Sequence, residues 1–104
     1  MIRHIVLFKL LDGVRRDDPR VKNVFDGLAA LGSAIPELRT WAVGFNVKAG
    51  PRAYDFALTG DVDDLDALAR YGEHPEHQAL LPLLDEVSTR VVADIEVPSP
   101  LDTP

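Results

Sequence analysis

The chain has 104 residues, 46% hydrophobic and 27% charged, with a formal net charge of −6 and no cysteine. That length allows one domain of ordinary globular composition. The acidic balance argues against a nucleic-acid backbone as partner, and the absence of cysteine excludes disulfides, thiolate catalysis and thiolate metal sites.

The first apolar run, Ile2 to Leu11, is interrupted by Arg3, His4 and Lys9. It is too short and too polar for a signal peptide or a membrane span, so the cytoplasm is the expected location. Within it, Ile2–Leu10 reads as a strand with His4, Val6 and Phe8 on one face and Ile5 and Leu7 on the other. A strand apolar on both sides belongs in the middle of a sheet covered on both faces. Asp18-Pro19 pairs an N-cap with a proline at the first helical position. Val21, Val24, Phe25, Leu28, Leu31 and Ile35 then recur at helical spacing, predicting one amphipathic helix over 19–34 that Pro36 stops.

A second strand is predicted over Leu38–Val47, with Trp41, Val43, Phe45 and Val47 on one side, followed by a hairpin-like connection through Lys48-Ala49-Gly50-Pro51. Tyr54–Asp61 is the third, with Tyr54, Phe56 and Leu58 sharing a face. Asp61 or Asp63 is expected to cap a short helix carrying Val62, Leu65 and Leu68 up to Tyr71, broken by Gly72. Pro75 opens another helical segment to about Val87, bent or divided at Pro82. Val91–Val97 is the last strand, with Val91, Ala93, Ile95 and Val97 on one face. Residues 1–97 form the single domain, and Pro98–Pro104 is expected to be an extended tail that can be removed at little cost.

The order βαββαβ, with right-handed crossovers, puts the helices on one face of a four-stranded antiparallel sheet. The other face, expected to carry Ile5, Leu7 and Val92, has no cover within the chain and reads as an interaction surface. A second copy related by a twofold axis is the simplest cover. An RNA-binding sheet of the same topology would need exposed aromatics among basic residues, which the charge opposes. The partner expected is therefore the chain itself, as a homodimer, with neither nucleic acid nor membrane.

Three histidines bear on chemistry. His4 lies among apolar residues of the first strand, an odd place for a titrating group unless a pocket or partner receives it. His74-Pro75-Glu76-His77 starts a helix: with His74 as N-cap, His77 falls third, where the positive helix end keeps an imidazole neutral and able to act as a base. Tyr71, across the Gly72 break, can bring a phenolic hydroxyl to the same space. The bland reading stands beside this one, since histidine before proline commonly caps a helix. A zinc site from His4, His74 and His77 has no supporting motif, and the acidic run Asp61, Asp63, Asp64 and Asp66 lacks the glycine and glutamate of a calcium loop. Trp41 reads as core or dimer contact. There is no glycine-rich phosphate loop and no nucleophile elbow.

Ile2-Arg3-His4-Ile5-Val6-Leu7-Phe8-Lys9, the Ile35-Pro36 turn, Tyr54-Asp55-Phe56-Ala57-Leu58 and Tyr71-Gly72-Glu73-His74-Pro75-Glu76-His77 together resemble the stress-responsive A/B barrel domain, over Ile2 to Val97. The resemblance implies a dimeric α+β barrel in which two ferredoxin-like sheets pack together with helices outside. Most of that family has no established reaction. A plant branch closes poly-β-keto chains by aldol condensation without a cofactor. Carried over, its residues imply His77 as base, Tyr71 as hydrogen-bonding partner and His4 in the pocket. Val6, Phe8, Phe25, Phe56, Leu58 and Leu81 are the implied walls of a pocket between helices and sheet. Several wall positions differ in type, so the substrate does not carry over. Two readings follow: a cofactor-independent enzyme or binder of a small keto or aromatic compound, or a non-catalytic dimeric stress-response or interaction domain. A monooxygenase of the related barrel families shares the fold but has no motif here. A cavity beside His77 favours the first reading, and an interface filled by Phe8, Phe25 and Phe56 the second.

Overall fold

The computed structural model describes residues 1–99, so most of the expected tail, 100–104, lies outside the described residues. The chain runs β1 (Ile2–Leu10), α1 (Pro19–Ala34), β2 (Thr40–Phe45), β3 (Phe56–Val62), α2 (Leu65–Glu73), α3 (Pro75–Val87) and β4 (Ser88–Glu96). The strands form one antiparallel sheet in the order β2-β3-β1-β4, a ferredoxin-like α+β arrangement with the helices on one face.

Local chemistry sets most of the boundaries. The Asp18 carboxylate accepts from Arg20 N–H at the start of α1, with Pro19 in the first turn. Val21, Val24, Leu28 and Leu31 turn one stripe of that helix into the core. They meet the helix-facing side of the sheet, where Val6, Phe8, Phe56 and Leu58 are buried. Phe8 stacks on Phe56 with centroids 4.5 Å apart, and Phe25 stacks on Phe45 at 4.4 Å.

Several expected boundaries move. β2 is shorter than Leu38–Val47. Leu38 N–H is taken by Ile35 O in the turn leaving α1, and beyond Phe45 the chain departs from the sheet, leaving Val47 fully exposed. Tyr54 precedes β3 and does not share the face of Phe56 and Leu58; its ring lies 5.8 Å from Lys9 Nζ, on the open side. Neither Asp61 nor Asp63 caps α2. Asp64 does so, accepting from Ala67 N–H at 2.8 Å, while Val62 remains in β3. Asp61 instead lies buried against Arg3, and Asp63 pairs with Arg39. Gly72 sits inside α2; the break falls at His74, which Pro75 forces into extended backbone (φ −62°, ψ 134°). α3 continues through Pro82 undivided, because the exposed Gln78 can leave to water the carbonyl that residue 82 would have bonded.

The last correction changes the faces of β4. This strand starts at Ser88, directly from α3, and its register pairs Leu7 with Val91 and Val6 with Val92. Directly paired residues point to the same side. Val92 therefore lies on the helix side, and Val91, Ala93 and Ile95 join Ile5 and Leu7 on the open face. Neighbouring strands extend that face with Ala57, Thr59, Ala42 and Gly44. Leu7, Val91 and Ile95 are exposed there, an apolar sheet centre with no cover among the described residues.

Candidate functional site

His4 stands on the helix-facing side of β1, between Gly60 of β3 and Asp94 of β4. Asp94 Oδ1 lies 2.6 Å from His4 Nδ1. A carboxylate only accepts, so Nδ1 carries the hydrogen and the ring is held in one orientation. Gly60 leaves the room that Trp41 fills, for a Cβ there would meet Trp41 Cε3 at 2.6 Å. Trp41 is anchored from Nε1 to Leu28 O at 2.9 Å and lies 6.0 Å, centroid to centroid, from Tyr71.

Tyr71 comes from the last turn of α2 and His77 from the first turn of α3, six positions on. His74 makes the corner between them. It is the C-cap of α2, and its Nδ1 accepts from Glu76 N–H at 3.1 Å as the N-cap of α3. The turn folds the two side chains together. The ring centroids of Tyr71 and His77 are 4.7 Å apart, and those of His4 and Tyr71 5.3 Å. His4, Tyr71 and His77 thus form one contiguous group reaching from sheet to helices.

They open on a cavity of about 230 Å³ lined also by Val6, Phe8, Leu58, Leu81, Leu28, Leu84, Arg90 and Val92. Of the walls expected from sequence, Val6, Phe8, Leu58 and Leu81 are there. Phe25 and Phe56 are not: with Phe45 they pack into an aromatic cluster that fills the adjoining part of the helix–sheet interface. The interface is therefore solid at the phenylalanine end and hollow at the histidine end. A roomier depression of about 560 Å³ near Met1, Asp63–Asp66 and Glu96 is a wide, acidic surface hollow without an aromatic wall.

Electrostatics give Tyr71 and His77 different roles. Burial pushes the Tyr71 phenol well above its ordinary range, and the Asp94 carboxylate adds to the effect. It stays a neutral O–H donor. No buried side-chain oxygen or nitrogen among the described residues lacks a partner, and the Tyr71 hydroxyl bonds to none of them, so it faces the cavity. Burial pushes His77 below 6.5, against the pull of the Gly72 carbonyl, and its coulombic interactions with His4, Arg90 and His74 lower it further. His77 Nδ1 donates to Gly72 O at 2.9 Å. The ring is thus neutral at pH 7 with its lone pair on Nε2.

Asp94, Arg90, Val92, Leu28 and Leu84 did not emerge from the sequence as site residues. The alternation of 90, 92 and 94 along a strand was available as a signal, but it shows its meaning only once β4 is known to begin at Ser88. The described residues bring together no group of three His, Asp or Glu suited to a metal ion, and none of their helices is long and apolar enough to cross a membrane.

Residues 2–97 match the family model described as the stress responsive A/B barrel domain. The chain belongs to this family. An uncharacterised protein of Streptomyces coelicolor is 54% identical over 96 residues, covering 92% of this chain and 99% of that protein. Two crystal structures are also similar. A dimeric ferredoxin-like protein of unknown function from Thermobifida fusca is 36% identical with a TM-score of 0.80, covering 92% of this chain and 90% of that one. A dimeric protein of ferredoxin-like fold from Bacteroides fragilis is 33% identical with a TM-score of 0.81, covering 92% and 95%.

Proposed function

We propose that this A/B barrel chain works as a homodimer, each protomer holding a cofactor-independent acid–base site for a small keto or aromatic carbonyl compound. The cavity beside a neutral His77 carries the reading. Its volume of about 230 Å³ corresponds to about eight waters at bulk density, enough for a single ring or a short chain. Nε2 of His77 takes the proton of a C–H next to a carbonyl. The electron pair moves into the enolate, and the Tyr71 hydroxyl, a neutral donor, bonds the developing oxyanion. The enolate carbon then attacks a second carbonyl or is reprotonated. His4, held by Asp94, packs edge-on against Tyr71 and fixes where that ring points.

The dimer is supported by the apolar open face and by the dimeric state of the two related structures. A second copy laid on Ile5, Leu7, Val91 and Ile95 would cover the sheet, as the barrel name implies.

The test is proton exchange. Benzoylacetone, a single-ring 1,3-diketone, is followed by NMR in D2O with and without protein. Wild type should accelerate loss of the C–H signal over buffer, and His77→Ala should remove the acceleration while keeping the dimer mass. Exchange no faster with wild type than with His77→Ala would overturn the acid–base reading. The second reading, a non-catalytic dimeric stress-response domain, draws on the aromatic cluster around Phe25 and Phe56 and on the capping role of His74. That outcome would favour it.

A further inference from the structure

Four polar residues line the cavity: His4, Tyr71, His77 and Arg90. Three of them belong to the aromatic group described above. Arg90 does not, and it alone of the four carries a fixed charge, since a guanidinium is not deprotonated in a protein. It stands on β4 opposite Phe8, on the helix side of the sheet. Its side chain is 28% exposed, so the group sits at the mouth between cavity and water.

The guanidinium is only partly engaged. Nη1 donates to Asp85 Oδ1 at 2.7 Å, and Asp85 itself is largely in solvent. A guanidinium has five N–H groups, and the Arg90 side chain makes no other hydrogen bond to the described residues. Most of its fork is therefore open to a ligand. Asp94, further along β4 on the same side of the sheet, is held by His4 Nδ1. The positive charge of Arg90 is also felt at His77, which places the two within electrostatic reach across the hollow. A planar fork with one charge matches a carboxylate, which it can bind through two parallel hydrogen bonds. A phosphate dianion would find a single cation and no glycine-rich loop.

Resting on the acid–base reading of the cavity, we propose that Arg90 anchors a ligand carboxylate and makes the site selective for small keto acids over neutral ketones. The ligand would lie with its carboxylate at the β4 mouth and its carbonyl inward, toward Tyr71 and His77.

Isothermal titration calorimetry with benzoylformate and its near-isosteric amide, benzoylformamide, tests this. Neither has a C–H next to its ketone, so binding is read without turnover. Wild type should bind benzoylformate about tenfold or more tightly than the amide, the worth of one charge-assisted pair. Arg90→Leu should erase that preference, and Arg90→Lys should restore part of it. Circular dichroism verifies that each variant is folded. Equal binding of acid and amide by wild type would overturn the anchor and leave the cavity reading standing. A preference that survives in Arg90→Leu would do the same. Binding of neither probe would overturn the anchor together with the cavity as a carbonyl site.

Discussion

Replacing Leu7 by aspartate should separate the two protomers while leaving each one folded. Leu7 is 39% exposed in the single chain, on the open face of the central strand. Full burial of a leucine is worth about 1.5–3 kcal/mol, so covering the remainder contributes about 0.6–1.2 kcal/mol per protomer. The introduced carboxylate weighs more, because its burial without a partner costs several kcal/mol per ion. Counted on both sides of a twofold interface, the loss exceeds about 5 kcal/mol, which weakens association by more than roughly three orders of magnitude. The fold should survive because the position is already partly in water. Val92 provides the matched control. It is more exposed than Leu7, at 54%, yet the register puts it on the opposite side of the sheet. Val92→Asp should therefore keep the dimer mass by size-exclusion chromatography with light scattering at micromolar concentration, where Leu7→Asp reads as monomer. A dimeric Leu7→Asp, or a monomeric Val92→Asp, would refute the assignment of the interface to that face.

His77 should leave its mark on stability against pH. Its folded pKa lies below 6.5, so between that folded value and 6.5 the unfolded chain binds the proton that the folded chain refuses. Its contribution is complete above pH 6.5 and is lost as pH falls toward the folded value; urea titrations from pH 7.5 to 5 should slope less in His77→Gln than in wild type. Asp61 is held below 3.8 first of all by its hydrogen bonds from Arg3, so its contribution is present above pH 3.8 and lost as pH falls through the folded value. Asp61→Asn should lower Tm at pH 7 and approach wild type in acid; a gap that persists at pH 2 would place the loss elsewhere. Gly60→Ala pushes a methyl into Trp41 and should cost about 1–3 kcal/mol, with a Tm drop of several degrees and a shift in tryptophan emission. Gly50→Ala, with open space around the added carbon, should leave both nearly unchanged.

Most of what is legible in the chain is local. Asp18-Pro19 and His74-Pro75 announce helix starts because a cap and a fixed φ act within three residues, and both starts stand where expected. Tyr71, Gly72, Pro75 and His77 can be grouped for the same reason, although the corner is His74 and not Gly72. Contacts across long separations are not legible. Asp61 reads as a helix cap because its true partner, Arg3, lies 58 residues away. Arg90, Val92 and Asp94 acquire meaning only from their pairing with Phe8, Val6 and His4, and that register depends on α3 passing into β4 without a loop. A frame shifted by one residue reverses every side of a strand, which is why the sequence pattern alone puts Val92 on the wrong face.

The single residue between α2 and α3 has a consequence for how this chain can change length. His74 ends one helix and begins the next, so Tyr71 and His77 are joined by a connector with no spare residue. One inserted amino acid between 72 and 76 would turn the base by about 100° around its helix relative to the tyrosine. Nothing nearby could absorb that rotation. The loop from 46 to 55 is the opposite case, with an exposed tip at residues 47–52. Tags, linkers and lengthened variants belong in that loop, while the six-residue step from Tyr71 to His77 behaves as a ruler that permits substitution but no change in count.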